Sequence, residues 1–292
     1  MRFAKYHGLG NDFLVVDLRT AKPDDAAKIQ DPQNVVALCD RQFGVGGDGV
    51  LAVLPSTTGD DARMRVLNSD GSEAEMCGNG LRCVVQWLHD HGGVAKEEMA
   101  IDTGAGRLVC QLLGDKITVS MGAPRLTRAE IPMVGPLGER CIDQPIEVPG
   151  QPTRTITCAS MGNPHAVTFV SSRDEAYQLA TTVGPLIERH AYFPQRTNAE
   201  FAHVKSRTEI DLVVWERGAG LTLACGTGAC ATVVAAILTG RCDEGPAVRV
   251  NLPGGALDIQ VMPELSNVKM SGPAAHVFDG TLDLGALRAR PR

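Results

Sequence analysis

Apolar positions along the chain fall into short strand-like runs between glycine-rich turns, interrupted twice by a run with helical spacing. Arg2 to Asp17 predicts two strands around His7-Gly8-Leu9-Gly10-Asn11, the second being FLVVD. Asp31-Pro32 supplies an N-cap and a proline at the first helical position, with Val35, Val36 and Cys39 on a core face. A glycine-dense loop from Arg41 to Gly49 leads into the strand VLAVL. ARMRVLN then predicts a strand ending at Asn68, before a turn at Ser69 to Ser72. In the first long helical pattern Leu81, Val84, Val85 and Leu88 stand at i, i+3, i+4 and i+7, and Gly92-Gly93 stops it. MAIDTGAG, RLVCQLL and KITVSMG follow as antiparallel strands.

The stretch from Ala123 to Pro152 carries six prolines and reads as the linker between two domains. Beyond it the pattern is retold. TRTITCAS and the run after Gly162-Asn163 give strand, turn and strand, as Tyr6 to Val16 do around Gly10-Asn11. Helix is predicted over Arg173 to Leu179, with a second helical or irregular stretch to His190. TNAEFAHV and TEIDLVVWERGAG are strands, Ala229 to Leu238 is a helix apolar or small on every side, and further strands run to Asp279. Asn11 precedes Cys77 by 66 positions and Asn163 precedes Cys225 by 62, while Asn68 and Glu216 each stand nine before their cysteine. Such spacing predicts two similar domains, 1–123 and 124–271, in a pseudo-twofold arrangement that would place the two helix N-termini across a cleft.

Chemistry concentrates where the repeat is tightest, at Cys77-Gly78-Asn79-Gly80 and Cys225-Gly226-Thr227-Gly228. Each cysteine sits at the start of a helix, where unpaired N–H groups and the helix dipole are expected to lower a thiol pKa from about 8.5 toward neutrality and to cradle an anion. One copy alone is better explained by a structural turn. Two copies allow a carboxylate to be held by N–H groups from both helices, with a thiolate removing its α-proton and a thiol delivering another on the opposite face. No lysine is marked as a pyridoxal-phosphate anchor. The reaction class is therefore cofactor-free racemisation or epimerisation of an amino acid.

Composition narrows the alternatives. The chain has 292 residues, 43% hydrophobic and 21% charged, with a net charge of −6 and no basic cluster, which disfavours nucleic acid and anionic membranes as partners. No apolar run approaches signal-peptide or membrane-span length, so a cytoplasmic location is expected. Nine cysteines without a Cys-x-x-Cys pair suggest neither a disulfide framework nor a zinc site, and most are expected in the core. The loop to Gly49 has neither Gly-Lys-Ser/Thr nor dinucleotide-type glycine spacing, so nucleotide binding loses its best candidate.

HGLGNDF, the segment from Asn68 through Asp70, Gly71 and Ser72 to Cys77-Gly-Asn-Gly-x-Arg82, SMGNPH, ERGAG and ACGTGAC together closely resemble diaminopimelate epimerases, in order from Phe3 to Gly280. The resemblance implies an α+β fold in which each of two domains wraps a curved, mostly antiparallel sheet or barrel around a central helix. It implies that residues 272–292 return to the first domain. It further implies interconversion of LL- and meso-diaminopimelate in lysine and peptidoglycan precursor synthesis, and a homodimer. By matching positions, Cys77 and Cys225 are the acid/base pair, assisted by His165 and Glu216. Gly78, Asn79, Gly226 and Thr227 bind the reacting carboxylate. Asn11, Asn68, Asn163, Asn198, Glu216 and Arg217 read the amino groups and the distal carboxylate. Two positions depart from the family pattern: Gly49, where some members have Gln, and Phe278, where Tyr is frequent, so that a ring packed at a dimer interface would lack its hydroxyl contact.

Proline and hydroxyproline racemases share the two-cysteine logic, but usually have His after the first Cys-Gly, where this chain has Asn79. Phenazine-pathway isomerases generally lack both cysteines. A thiol redox protein would want a nearby resolving cysteine, and a pure amino-acid binder would not need two thiols. Two sulfurs flanking one carbon would stand only a few ångströms farther apart than a bond requires. Mild oxidation without substrate is accordingly expected to lower epimerase activity until reductant is added; full activity after oxidation would exclude such a bridge.

Overall fold

The first apolar run folds back at Leu9-Gly10, both at positive φ (55° and 85°), so that β1 (Arg2–Gly8) and β2 (Asn11–Asp17) form an antiparallel hairpin closed by the Gly8–Asn11 pair. The computed structural model describes residues 1–283 and 285. From β2 the chain crosses through α1 (Pro23–Gln30) and α2 (Pro32–Cys39) to β3 (Gly49–Leu54), which runs parallel to β2 as a crossover requires. Asp31 caps α2 by accepting from the N–H groups of Gln33 and Asn34. The apolar pattern does not announce α1, because that helix buries only Ile29; its local mark is a proline at the first turn followed by Asp24 and Asp25. β3 pairs antiparallel with β4 (Ala62–Asn68), and β4 with β5 (Glu73–Ala74). Helix α3 (Gly78–Asp90) crosses to β6 (Glu98–Thr103), parallel to β4, and β7 (Gly106–Leu113) and β8 (Lys116–Ser120) follow antiparallel.

The second half repeats this order. β9 (Gln144–Ile146) pairs with β10 (Arg154–Ser160), which forms a hairpin with β11 (Pro164–Val170) around Gly162 at φ 102°. Two helices, α4 (Arg173–Thr182) and α5 (Gly184–Glu188), lead to β12 (Asn198–Ser206), parallel to β11. β13 (Glu209–Glu216) is antiparallel to β12 and to β14 (Gly220–Leu221). α6 (Gly226–Leu238) crosses to β15 (Ala247–Leu252), parallel to β13, before the antiparallel β16 (Gly255–Val261) and β17 (Val268–Gly272). Finally β18 (Ala275–Thr281) pairs with β1.

The chain divides into two compact units, Met1–Val119 with the described part of Gly272–Arg292, and Ser120–Ser271. Of the terminal segment 272–292, residues 284 and 286–292 lie outside the described residues. Each unit is a mostly antiparallel sheet with a helix at its centre, which is the expected α+β architecture. The parallel pairs β2–β3, β4–β6, β11–β12 and β13–β15 each have a helix in their connection. In the first unit Leu81, Cys83, Val84, Val85 and Leu88 of α3 are fully buried against strands that include β1, β2 and β18. In the second, α6 is buried from Gly228 to Ala236 and packs on β10, β11, β12 and β16. Its small side chains let the strands close in on every side.

The proline-rich stretch 123–152 is not a linker. Ile131, Met133, Cys141, Ile146 and Val148 from it join the buried cluster of the second unit with Ile156, Phe201 and Val213. Bridges from Arg125 to Ser160 and from Thr127 to Arg140 tie its backbone down. Proline restricts the unfolded chain without preventing burial of the apolar residues between. Ile131→Ala is therefore expected to lower the unfolding free energy by about 2–5 kcal/mol in urea titration; a loss below about 0.5 kcal/mol, typical of a surface site, would restore the linker reading.

Candidate active site

Asn11 follows the positive-φ turn, and Cys77 and Asn79 open α3. These three residues meet in the first unit. Cys77 is the N-cap of α3, its Sγ accepting the Gly80 N–H at 3.4 Å while its backbone stays extended (φ −139°, ψ 114°). The Asn11 carboxamide joins the hairpin to the helix: its Oδ1 accepts from Asn79 Nδ2 at 3.2 Å and lies 3.9 Å from Cys77 Sγ, while its Nδ2 donates to Asp48 Oδ2 at 2.6 Å. Asn79 is in turn held by Arg82, fully buried, whose Nη2 donates to Asn79 Oδ1 at 2.9 Å and whose Nε donates to the Pro273 carbonyl. A Cβ at Gly8 would stand 3.1 Å from that guanidinium and 3.3 Å from Asn79, so this strand end packs closely against both.

Below Asn11 sits an ionic cluster. Lys5 Nζ and Arg41 Nη2 each reach Asp12 at 2.6 Å, Arg41 also reaches Asp48 at 2.8 Å, and Lys5 donates to the Gly46 carbonyl. Burial works against the Asp12 carboxylate, but the hydrogen bonds and charges of Arg41 and Lys5 outweigh it and hold its pKa down at about 2. Asn68, at the end of β4, pairs with Gly49 and donates to Ser72 Oγ at 2.9 Å; among the described contacts it is joined to Asn11 only through Asp48, whose carbonyl accepts from the Ser69 N–H. At Gly49 a Cβ would stand 2.6 Å from the Leu67 carbonyl oxygen, so a side chain here would require the backbone to shift.

In the second unit Asn163, His165, Asn198 and Arg217 form one chain of contacts. His165 Nε2 lies 2.9 Å from Asn163 Oδ1, and its Nδ1 donates to Glu200 Oε1 at 2.6 Å, with both ring and carboxylate fully buried. Asn198 pairs in register with His165, donates to the Pro164 carbonyl at 3.0 Å and accepts the Arg217 N–H at 2.8 Å. The exposed Arg217 guanidinium donates to the Gln195 carbonyl. Cys225 is the N-cap of α6, with the Gly228 N–H at 3.4 Å and Thr227 Oγ1 at 3.6 Å from Sγ. Glu216 closes the approach strand and accepts from Thr222 Oγ1 at 2.5 Å.

The electrostatics of Cys225 correct one expectation. A helix N-terminus alone should favour its thiolate, yet burial, then Glu216, then Glu200 push the thiol well above its ordinary value, against the smaller opposing effect of Thr227 and the Gly228 N–H. Burial and two carboxylates outweigh the first turn of the helix. Glu200, Asp48 and Arg82 are the residues that sequence reasoning did not place in the site. Glu200 had a signal, a lone carboxylate in the apolar strand NAEFA, whereas Asp48 was hidden in a loop read for its glycines. Seven of the nine cysteines stand outside the two motifs and all seven are buried, as expected. Among the described residues no helix is long and apolar enough to cross a membrane. Phe278 stands on β18, 44% exposed, edge-on to Phe3 with ring centroids 5.8 Å apart.

The family model described as diaminopimelate epimerase matches residues 3–127 and 157–277. A diaminopimelate epimerase of Synechocystis sp. is 49% identical over 286 residues, covering 97% of this chain and 99% of the relative. Diaminopimelate epimerase 1 of Nostoc sp. is 50% identical over the same length, and the enzyme of Heliobacterium modesticaldum is 46% identical over 290 residues, covering 97% of this chain and all of its own. Among solved structures, a hydroxyproline epimerase from Agrobacterium vitis shares the fold with a TM-score of 0.68 at 16% identity, over 96% of this chain and 90% of that one. A phenazine biosynthesis protein of the PhzF family from Bacillus anthracis does so at 0.65 and 16% identity, over 96% and 98%.

The acid response follows from the Asp12 cluster. A carboxylate with pKa about 2 in the folded chain and about 3.9 unfolded stabilises the fold fully above about pH 4 and loses that contribution as pH falls through about 2. Asp12→Asn is thus expected to be less stable than wild type at pH 6, with the difference shrinking between about pH 4 and 2 in acid-denaturation curves. A difference independent of pH would assign the loss to something other than the paired charge.

Proposed function

The chain belongs to the diaminopimelate epimerase family, and from that premise we infer that it inverts one α-carbon of diaminopimelate, interconverting the LL and meso forms without a cofactor, in lysine and peptidoglycan precursor synthesis. The observation that carries the chemistry is the thiol-capped helix present in both units, with the same cysteine-to-glycine N–H contact in each. Removing a proton from a carbon beside a carboxylate needs a base, a donor for the opposite face, and N–H groups or dipoles where negative charge grows. In our reading Cys77 and Cys225 are the two proton-transfer groups and exchange roles with reaction direction. The first-turn N–H groups of Gly78, Asn79, Gly226 and Thr227 take the reacting carboxylate, because the start of a helix lacks intrahelical partners for its donors.

Asn11, Asn68, Asn163, Asn198, Glu216 and Arg217 recognise the amino groups and the distal carboxylate, with the fork of Arg217 suited to bidentate contact. What supports this is that most of these side chains are held by neighbours rather than left to rotate, Asn11 by Asp48 and Asn79, Asn163 by His165, Asn198 by Pro164 and the Arg217 N–H. His165 and Glu216 tune the second thiol, consistent with the charge that Glu216 places near it. We further propose a cytoplasmic homodimer. Seven cysteines buried outside the two motifs suit a reducing compartment, and Val277 and Phe278 offer exposed apolar surface on β18.

The test is deuterium incorporation from heavy water at the α-carbon of LL-diaminopimelate by wild type, Cys77→Ser and Cys225→Ser, with proline in parallel. Exchange with inversion in the wild type, and a loss of inversion by about 10³-fold or more in both variants, is the expected result for a proton-transfer pair acting as a unit. Exchange on proline alone would move the chain to the racemase reading.

A further inference from the structure

The two thiol-capped helices stand on different ground. Parallel registers fix the correspondence: Phe13 pairs with Gly49 in the first unit as His165 pairs with Asn198 in the second, and two residues further along lie Leu51 and Glu200. The glycines confirm the match. A Cβ on Gly80 would meet Leu51 Cδ2 at 2.8 Å, and a Cβ on Gly228 would meet Glu200 Oε1 at 3.1 Å and Cys225 Sγ at 3.2 Å. Carboxylate and thiol therefore converge on the space that a side chain at Gly228 would fill. Where the first copy puts Phe13 and Leu51, the second puts an imidazole and a carboxylate, both at zero exposure.

Burying such a pair costs several kcal/mol per ion before its mutual attraction is counted, and the first copy shows that the same fold position is satisfied by two hydrocarbons. Among the described residues Glu200 Oε2 also finds no hydrogen-bond partner, a further desolvation loss that packing does not require. A costly group retained beside one thiol and absent from the equivalent place beside the other has a use at that thiol.

We propose that Glu200 is a positioning residue whose charge, held by His165 and set one glycine away from Cys225, keeps that thiol protonated between turnovers, so that the second cysteine rests as the proton donor of the pair. This rests on the reading of Cys225 as a proton-transfer group. The groups facing the thiol are Glu200 on β12, Glu216 on β13, and Thr227 with the Gly228 N–H on α6, while His165 on β11 acts through Glu200. Of these Glu200 is enclosed on all sides, whereas Glu216 is only partly buried and its influence is open to screening by solvent.

The test uses full-length, reduced, ligand-free protein carrying [3-¹³C]cysteine, with the Cys225 signal identified by its loss in Cys225→Ser and its shift followed against pH by NMR. Glu200→Gln keeps the shape and an acceptor for His165 but removes the charge. The Cys225 midpoint is expected to fall by about one pH unit, a tenfold rise in thiolate fraction below the midpoint, with the Cys77 midpoint unchanged. The basic limb of the kcat/KM profile should move the same way, and Glu200→Asp should restore most of the shift. An unmoved Cys225 midpoint in folded Glu200→Gln protein overturns the proposal and leaves Glu200 a structural residue. If that variant does not fold, the double change His165→Phe with Glu200→Leu copies the first unit's own solution and gives the same readout. Because the titration needs no substrate, its failure is distinguishable from failure of the two-thiol reading in the deuterium experiment.

Discussion

A cysteine serving as the N-cap of a buried helix is the contact on which both units depend. Sγ accepts the N–H of the glycine three residues on, which satisfies one otherwise unpaired donor and keeps the sulfur at the first turn of the helix. A side chain at that glycine would press on Leu51 in the first unit and on Glu200 and the thiol itself in the second, so one of these neighbours would have to shift. Each central helix is in turn gripped by strands, so the thiol is aimed by the whole packing of its unit rather than by a loop.

Holding a thiol this firmly has an electrostatic consequence. Enclosure excludes the water that would support a thiolate, and for Cys225 burial together with the carboxylates of Glu216 and Glu200 overcomes the helix N-terminus. An anionic substrate group bound at the same N–H donors would compete for the same positive potential. Proton-transfer chemistry in such a site is governed by small differences between large opposing terms, which explains why ionisable groups are clustered so densely around otherwise apolar helices.

Duplication of a backbone does not duplicate its electrostatics. The two units share hairpin, two-helix crossover, antiparallel pair and capped helix, and their parallel pairings recur in equivalent places. Their polar networks nonetheless run differently. In the first, Asn11 is backed by Asp48, Arg41, Lys5 and Asp12 in a partly exposed cluster; in the second, Asn163 and Asn198 flank the buried His165 and Glu200. Backbone topology is set by apolar alternation and glycine positions, which both halves retain. The charges sit at positions those constraints leave open, and there the halves have diverged.

The sequence alone determined the strand order, the helix starts at Cys77 and Cys225, the repeat and the family, because these depend on local signals: apolar period, glycine punctuation, caps and motif spacing. Through the resemblance it also marked Asn11, Asn163 and Asn198, by their positions in the family motifs. Helix α1 escaped it for want of an apolar face, and the segment 123–152 misled it because proline density resembles a linker until Ile131 and Met133 are seen in the core. Only the tertiary structure decided that Glu200 lies beside Cys225, that Arg82 anchors Asn79 from a fully buried position, and that burial and two carboxylates push the Cys225 thiol above its ordinary value. Those facts rest on burial and on contacts between residues far apart in the chain, and neither quantity is written in any local stretch of it.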